Sequence, residues 1–354
     1  MKEVFVVSAV RTPIGSFQGA FKNFPAPRLC AEAIKEALRR VNVSPEDVDE
    51  VFIGNVLSAG IGQAPARQAA IYAGISPKTP ATTINKVCSS GLKAVMIGAL
   101  SIKAGDNNIV VAGGMENMSM VPYYLIGARN GYRLGHIQTF DGMIYDGLWD
   151  PYHNFHMGNA ADRTAKKYNI SREEQDEYAA MSYKRAAEAW DKGFFKTEVI
   201  PIKIKEKDKE IIVDKDEEYV RVDFEKMKKL KPVFSQDGTV TAANSSKIND
   251  GAAALVLMSE DEVKKRGIKP FARIIAFGDH EQEPEWFTTA PSSAITKVLK
   301  KAGLKLEDID IFEINEAFAV VAIVNAKLTG IPYDRLNIWG GAVALGLSLI
   351  HISE

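Results

Sequence analysis

Cysteine is scarce in this 354-residue chain, which carries only Cys30 and Cys88. Two thiols cannot build a disulfide framework, and so low a count is typical of reducing compartments. Net charge is equally lacking. Forty-four Lys and Arg stand against 45 Asp and Glu, a formal charge of −1, so no global field is available to hold nucleic acid or an anionic membrane. Long hydrophobic runs are missing too: the longest, such as Ala317 to Asn325, span less than half a membrane. The opening residues, Met-Lys-Glu-Val-Phe-Val-Val-Ser-Ala-Val, read as a strand, without the basic start and apolar stretch of a signal peptide. The expectation is a cytoplasmic protein with neither nucleic acid nor membrane among its partners.

What is present is the balance of a globular protein, 46% apolar and 25% charged, which excludes disorder, collagen and coiled coil as the main state. The length suits two or three domains. Short β-branched runs (Val4 to Val7, Val51 to Ile53, Ile109 to Val111, Ala254 to Met258, Ile309 to Ile314) alternate with helical patterns such as Leu29 to Val41 and Gly91 to Ala104. That alternation predicts an α/β fold with buried strands.

The chain also resembles itself. Residues 33–49 (AIKEALRRVNVSPEDVD) match residues 294–310 (AITKVLKKAGLKLEDID) at an offset of 261, each an amphipathic helix, a turn and the start of a strand. Two similar halves are expected, the second running short of the first by about 22 residues at its end. Between them, residues 119–243 have a different texture: aromatics and glycines to Gly158, a helix from Ala160 to Lys192, and the charge-dense Lys203 to Arg221, read as a solvated hairpin or loop. The predicted organisation is therefore an N-terminal half (1–118 plus 244–266), an inserted loop domain (119–243) and an incomplete C-terminal half (267–354).

Cys88 lies between a strand-like run and a small-residue helix. Free N–H groups and the dipole at that helix start would favour a thiolate, making Cys88 a candidate nucleophile near neutrality. Cys30 falls in an amphipathic helix and reads as core. Asn315, with Glu313 and Glu316, follows the second repeat strand, at the edge where open α/β sheets place ligands, and an Asn there can hold a water or an oxyanion. No P-loop or dinucleotide fingerprint occurs. His153, His156 and Asp150 do not complete a metal set.

Taken in order, Cys88-Ser89-Ser90-Gly91, Gly113-Gly114-Met115-Glu116-Asn117-Met118-Ser119, His156-Met157-Gly158, Asn249-Asp250-Gly251-Ala252-Ala253, Asn315-Glu316-Ala317-Phe318 and Gly340-Gly341-Ala342-Val343-Ala344-Leu345-Gly346 resemble the thiolase family. The resemblance implies a five-layered αβαβα sandwich of two similar halves with an inserted loop domain, assembled as a homo-oligomer (dimer or tetramer). It implies reversible condensation of two acetyl-CoA to acetoacetyl-CoA and CoA through an acetylated cysteine, with coenzyme A thioesters as substrates and no metal or redox cofactor. By the same resemblance Cys88 is the nucleophile and its N–H serves one oxyanion hole. Asn315 holds a water in the other, and His156, Ala243, Ser246, Ala317 and Phe318 line the substrate pocket. Met157 limits acyl length.

One departure stands out. The family continues its last glycine motif as Gly-His-Pro-x-Gly, whereas Gly346 is followed here by Leu347, and the family's later Cys-x-Gly is absent. His351 falls four positions late. The 354-residue chain is therefore expected to lack the histidine that activates the cysteine and the acid/base cysteine, and to be inactive in condensation. Two other readings stay open: a degradative 3-ketoacyl-CoA thiolase, and a non-catalytic acyl-CoA-binding protein.

Overall fold

A computed structural model describes residues 2–206 and 209–346. The tail that carries Leu347 and His351 lies outside the described residues. The principal strands are β1 (Val4–Arg11), β2 (Glu50–Gly54), β3 (Ala81–Ile84), β4 (Ile109–Asn117), the hairpin pair β5 (Ile202–Glu206) and β6 (Lys209–Val213), β7 (Asn249–Ser259) and β8 (Ala272–Arg273). The principal helices are α1 (Ala26–Arg40), α2 (Pro65–Tyr72), α3 (Ser90–Ala104), α4 (Met157–Lys167), α5 (Arg172–Lys192), α6 (Ala290–Ala302), α7 (Ala319–Thr329) and the short α8 (Ala342–Leu345).

One sheet runs in the order β8-β1-β7-β4-β2-β3, with Gly15–Ser16 pairing to the start of β7. Its β4-β2-β3 side is parallel and its β8-β1-β7-β4 side antiparallel. Every residue of β4 and of β7 is buried, because helices cover both faces. Such strands read as continuous apolar runs instead of alternating ones. On one face α1 and α2 bury Leu29, Cys30, Ile34, Leu38, Ala66 and Ala69 against Val51, Val111 and Val256. On the other, Ala94, Val95, Ala99 and Ile102 of α3 pack on Phe52, Val110 and Leu257. The predicted α/β architecture and its buried strands are found, and Cys30 is core as expected.

The window Val87–Ala104 at α3 has a mean hydropathy of 1.3 over 18 residues, long and apolar enough by composition to cross a membrane. Counting unbroken runs missed it, because lysines and serines interrupt the stretch. Its packing on β2 and β4 accounts for the apolar face.

The repeat is visible in space as far as its strand. α1 leads to the turn Pro45–Asp47 and β2; α6 leads to the turn Leu306–Asp308. There the halves diverge. The strand predicted at Ile309 to Ile314 is reduced to one bridge, Phe312 to Leu336. β2 is held between β3 and β4, and among the described residues no equivalent of β4 flanks the second copy. A lone extended segment with one neighbour makes few ladder bonds.

In the inserted segment the predicted helix from Ala160 to Lys192 is two helices. α4 ends at a left-handed Asn169 (φ 50°), and Ser171 caps α5 by accepting from the Glu174 N–H at 3.1 Å. The charged stretch after Lys203 forms the β5–β6 hairpin. The insert is fastened to the sheet by Arg11, fully buried, whose guanidinium donates to Asp216 at 2.8 and 3.0 Å and to Glu198 at 2.6 Å. Asp216 also accepts from Ile14 N and Trp190 Nε1.

Candidate active site

Cys88 sits on a turn that links β3 to α3, and the sequence around it locks that turn. Val87 N donates to Asn85 Oδ1 at 3.0 Å, Lys86 N to Ser90 Oγ at 2.8 Å, and Ser90 Oγ to Val87 O at 2.6 Å. Val87 is held at φ 48°, a region that β-branched residues rarely enter and that costs about 1–3 kcal/mol when the surroundings impose it. α3 starts hard against β2. A Cβ on Gly54 would meet Gly91 N at 2.5 Å, so only glycine lets the helix start approach so closely. The small residues after Cys88 thus serve this packing, and Ser90 is wholly buried.

The half-buried Cys88 faces a small cleft with Val56, Leu57, Val87, Glu116, Met118, Gly147 and Leu148. Burial pushes its thiol up from 9.0 to about 11, and the Glu116 carboxylate adds to the rise. The expected depression by the helix start is outweighed. Cys88 precedes the cap residue Ser89, one step outside the helix, and the loss of water disfavours the thiolate more than the few nearby N–H groups favour it.

Glu116, in the Gly113–Ser119 motif, lies at the C-terminal end of β4. It accepts from Asn55 Nδ2 at 2.8 Å and Val56 N at 2.9 Å, and burial lifts its carboxyl to about 7. Asp250 on β7, which accepts from Ser119 Oγ at 2.7 Å, is lifted by burial to about 6. A carboxylate inside a wholly apolar strand is the sequence signal that could have drawn attention to Glu116.

The remaining candidates gather in a second group. His156 caps α4, its Nδ1 accepting from Gly158 N at 3.0 Å, so Nδ1 is unprotonated. Its ring stacks on Phe234 at 4.6 Å, and Phe234 meets Phe318 edge-on at 6.0 Å. Burial holds the His156 imidazole below its ordinary range. Met157, Ala243, Ala317 and Phe318 pack in the same apolar cluster. Ser246 N donates to Ala317 O at 3.0 Å and Ala319 N to Asn244 O at 2.8 Å, which joins the turn before β7 to the start of α7. Two residues on from Ser246, Ile248 packs with the cluster of Val56, Leu57 and Met118, residues that line the Cys88 cleft. Asn315 does not follow a regular strand, as its position in the repeat suggested, but the one-bridge segment. Its Oδ1 and the Oγ of Ser246 are buried without a hydrogen-bond partner among the described residues.

Glu316, which the sequence sets beside Asn315 at the ligand-bearing edge, is instead bound up in packing. Fully buried, it accepts from Tyr178 Oη at 2.9 Å, Ser182 Oγ at 2.8 Å, Asn337 Nδ2 at 2.9 Å and Val343 N at 3.0 Å. It therefore fixes the residue after Asn315 to the glycine segment at 340–346. Gly341 lies against it, since a Cβ there would come within 2.6 Å of the carboxylate carbon. His153 is paired to Asp150, Nδ1 to Oδ2 at 2.9 Å, and no cluster of three metal-binding side chains occurs among the described residues.

Residues 4–261 match the family model described as "Thiolase, N-terminal domain" and residues 268–350 the one described as "Thiolase, C-terminal domain". Mitochondrial acetyl-CoA acetyltransferase B of Xenopus laevis is 53% identical over 348 residues, 98% of this chain and 82% of that protein. The mitochondrial acetyl-CoA acetyltransferase of Mus musculus is 51% identical over the same shares. The probable acetyl-CoA acetyltransferase of Dictyostelium discoideum is 51% identical over 98% of this chain and 84% of its own. The crystal structure of Acat5 thiolase from Ascaris suum in complex with coenzyme A superposes with a TM-score of 0.94 at 42% identity, covering 98% of this chain and 90% of that one. The frog and mouse relatives are mitochondrial, which overturns the expectation of a cytoplasmic protein. Few cysteines and a small net charge report a reducing environment and not an address.

Proposed function

The chain belongs to the thiolase family, and on that premise we propose that it is an acetyl-CoA acetyltransferase working through an acetylated Cys88. The observation that carries this reading is the presentation of Cys88, on a strained and locked turn, facing a cleft lined by Val56, Leu57, Glu116 and Met118. In the first half-reaction the Cys88 thiolate attacks the thioester carbonyl, the bond from acyl carbon to CoA sulfur breaks, and CoA leaves. In the second, another acetyl-CoA loses a Cα proton to a base. Its carbanion attacks the acetyl-cysteine carbonyl, forming the new C–C bond and releasing Cys88. The orphaned Asn315 Oδ1 and Ser246 Oγ support a polar ligand in this region, and the coenzyme A bound by Acat5 supports a CoA thioester. In this reading Asn315 holds a water in one oxyanion hole and the Cys88 N–H serves the other. His156, Met157, Ala243, Ser246, Ala317 and Phe318 line the acyl and pantetheine path, with Met157 limiting acyl length. The reaction needs no metal or redox cofactor.

No histidine lines the Cys88 cleft among the described residues. General base and acid groups contribute about 10²–10⁴-fold each. We therefore expect the 354-residue polypeptide to acetylate slowly at Cys88 and not to condense. Intact-mass measurement after incubation with acetyl-CoA tests both statements. One acetyl group, lost in Cys88→Ser, is expected; no adduct would overturn the role of Cys88, and rapid acetoacetyl-CoA formation would overturn the slow-acylation reading. A dimer or tetramer is the expected assembly, supported by exposed Tyr123, Leu125, Ile126 and Leu134 in the insert, and light scattering reads it directly.

A further inference from the structure

Val87 holds φ 48° directly before Cys88, and strain of that kind persists only where the surroundings over-determine it. Bonds within the turn supply part of the constraint, and Lys86 stands at their centre. Its N–H donates to Ser90 Oγ at 2.8 Å, and its carbonyl accepts from Ser89 Oγ at 2.9 Å and Ser89 N at 3.2 Å. Both main-chain groups of Lys86 are thus committed to the turn that presents Cys88. Where the Lys86 side chain is held, the turn is held with it.

That side chain is held from outside the turn. Its ammonium donates to Glu281 Oε1 and lies 3.9 Å from Asp279 Oδ1, both on the connector between β8 and α6. Asp279 Oδ2 accepts from Lys93 Nζ of α3 at 2.6 Å, and the Asp279 carbonyl from Lys297 Nζ of α6 at 2.7 Å. Upstream, the Phe277 ring lies 5.2 Å from the Lys103 ammonium of α3 and 4.8 Å from that of Lys301 on α6. Downstream the connector enters the interior: Thr288, fully buried, meets Thr164 Oγ1 of α4 at 2.6 Å, and its carbonyl accepts from Asn325 Nδ2 of α7 at 2.8 Å. Isolated exposed ion pairs contribute little, because two mobile side chains must be ordered for one contact. Here the backbone that carries both carboxylates is already fixed on either side, and the charges form a network.

We propose that Asp279 and Glu281 clamp the Cys88 turn through Lys86, which makes all three positioning residues for the nucleophile. That Cys88 attacks acetyl-CoA rests on the acetyltransferase reading above; the clamp does not.

The test compares amide hydrogen exchange and iodoacetamide labelling of Cys88 in the whole 354-residue protein with those of Lys86→Met, Lys86→Arg, and Asp279→Asn combined with Glu281→Gln. Lys86→Met and the double carboxylate variant are each expected to speed exchange in residues 85–91 and labelling by about three- to tenfold, with the rest of the sheet unchanged. Lys86→Arg keeps the charge and should stay within about twofold of the parent. Because the pairs are partly exposed, salt at about 1 M, where charges are screened beyond about 3 Å, should raise the parent's rates to those of Lys86→Met and leave that variant's own unchanged. Unchanged rates in both charge-removing variants would overturn the clamp. So would faster rates that Lys86→Arg shares or that salt does not reproduce, since either marks lost packing. Intact mass after incubation with saturating acetyl-CoA reads the positioning role. A looser turn labels faster yet acylates more slowly, so acetylation of Lys86→Met should fall about three- to tenfold with the half-saturating concentration unchanged; acetylation at the parent's rate would overturn that role. If the parent forms no acetyl adduct, the acetyltransferase reading fails, and exchange and labelling still decide the clamp.

Discussion

The reactivity of Cys88 gives the sharpest test of the site. Its thiol is raised from 9.0 to about 11, by burial first and by the Glu116 carboxylate as a smaller cause. Two units correspond to ~2.7 kcal/mol against the thiolate, so below pH 9 the protein holds about 100-fold fewer thiolates than an ordinary thiol would. A more basic thiolate is also the better nucleophile, with a Brønsted slope of about 0.4–0.5, which returns somewhat less than tenfold over two units. Alkylation at pH 7.5 should therefore run about ten- to twentyfold slower than that of an unperturbed thiol. The assay is iodoacetamide labelling from pH 6 to 11 followed by intact mass. Cys30 is fully buried and should stay silent, so one adduct forms, and none forms in Cys88→Ser. The rate should climb with pH and level off only near 11. Because Glu116 itself ionises at about 7, the climb should slacken around that pH, and Glu116→Gln should remove the slackening and speed labelling at pH 8 by about three- to tenfold. A plateau below pH 8 would refute the reasoning and restore the helix start as the dominant influence.

Glu316→Ala strands four donors on Tyr178, Ser182, Asn337 and Val343 and should lower the unfolding free energy by about 3–5 kcal/mol; a loss under about 1 kcal/mol in urea melts would contradict the network. Arg11→Met takes the buried guanidinium away from Asp216 and should cost about 3–5 kcal/mol, with Arg11→Met combined with Asp216→Asn milder than the single change. Glu116 and Asp250 are both raised, to about 7 and about 6, so each holds its proton more tightly folded than unfolded. Their contribution to stability is full below about pH 4 and is lost as pH rises through 6 to 7. The urea midpoint should fall between pH 5 and 8, less so in Glu116→Gln, and an equal fall in that variant would show that Glu116 takes no part.

Much of the architecture follows from local pattern. The β-branched runs, the amphipathic helix ending in Arg39 and Arg40, and the matching segments at 33–49 and 294–310 each carry a period that backbone geometry reads without distant partners. Cys88 stands out as a candidate because strand, turn and helix signals surround it within a few residues, and Asn315 because it follows a β-branched run. The same reasoning misread Ile309 to Ile314, where β-branched composition is right for a strand. Ladder bonds must come from neighbours that local pattern cannot supply.

What the sequence by itself determined, then, is the α/β class and the internal duplication, together with the candidate residues for the site. The tertiary structure alone decided the electrostatics. Helix-start logic favoured a Cys88 thiolate, yet burial in the cleft, with the Glu116 carboxylate beside it, outweighs that influence. Local sequence likewise placed Glu316 only as a carboxylate beside Asn315. Its role, one carboxylate serving four donors, arises from Tyr178 and Ser182 of α5, from Asn337 and from Val343 of α8. Burial and donor convergence are properties of the assembled chain, because dielectric environment and hydrogen-bond direction exist only once those elements are packed.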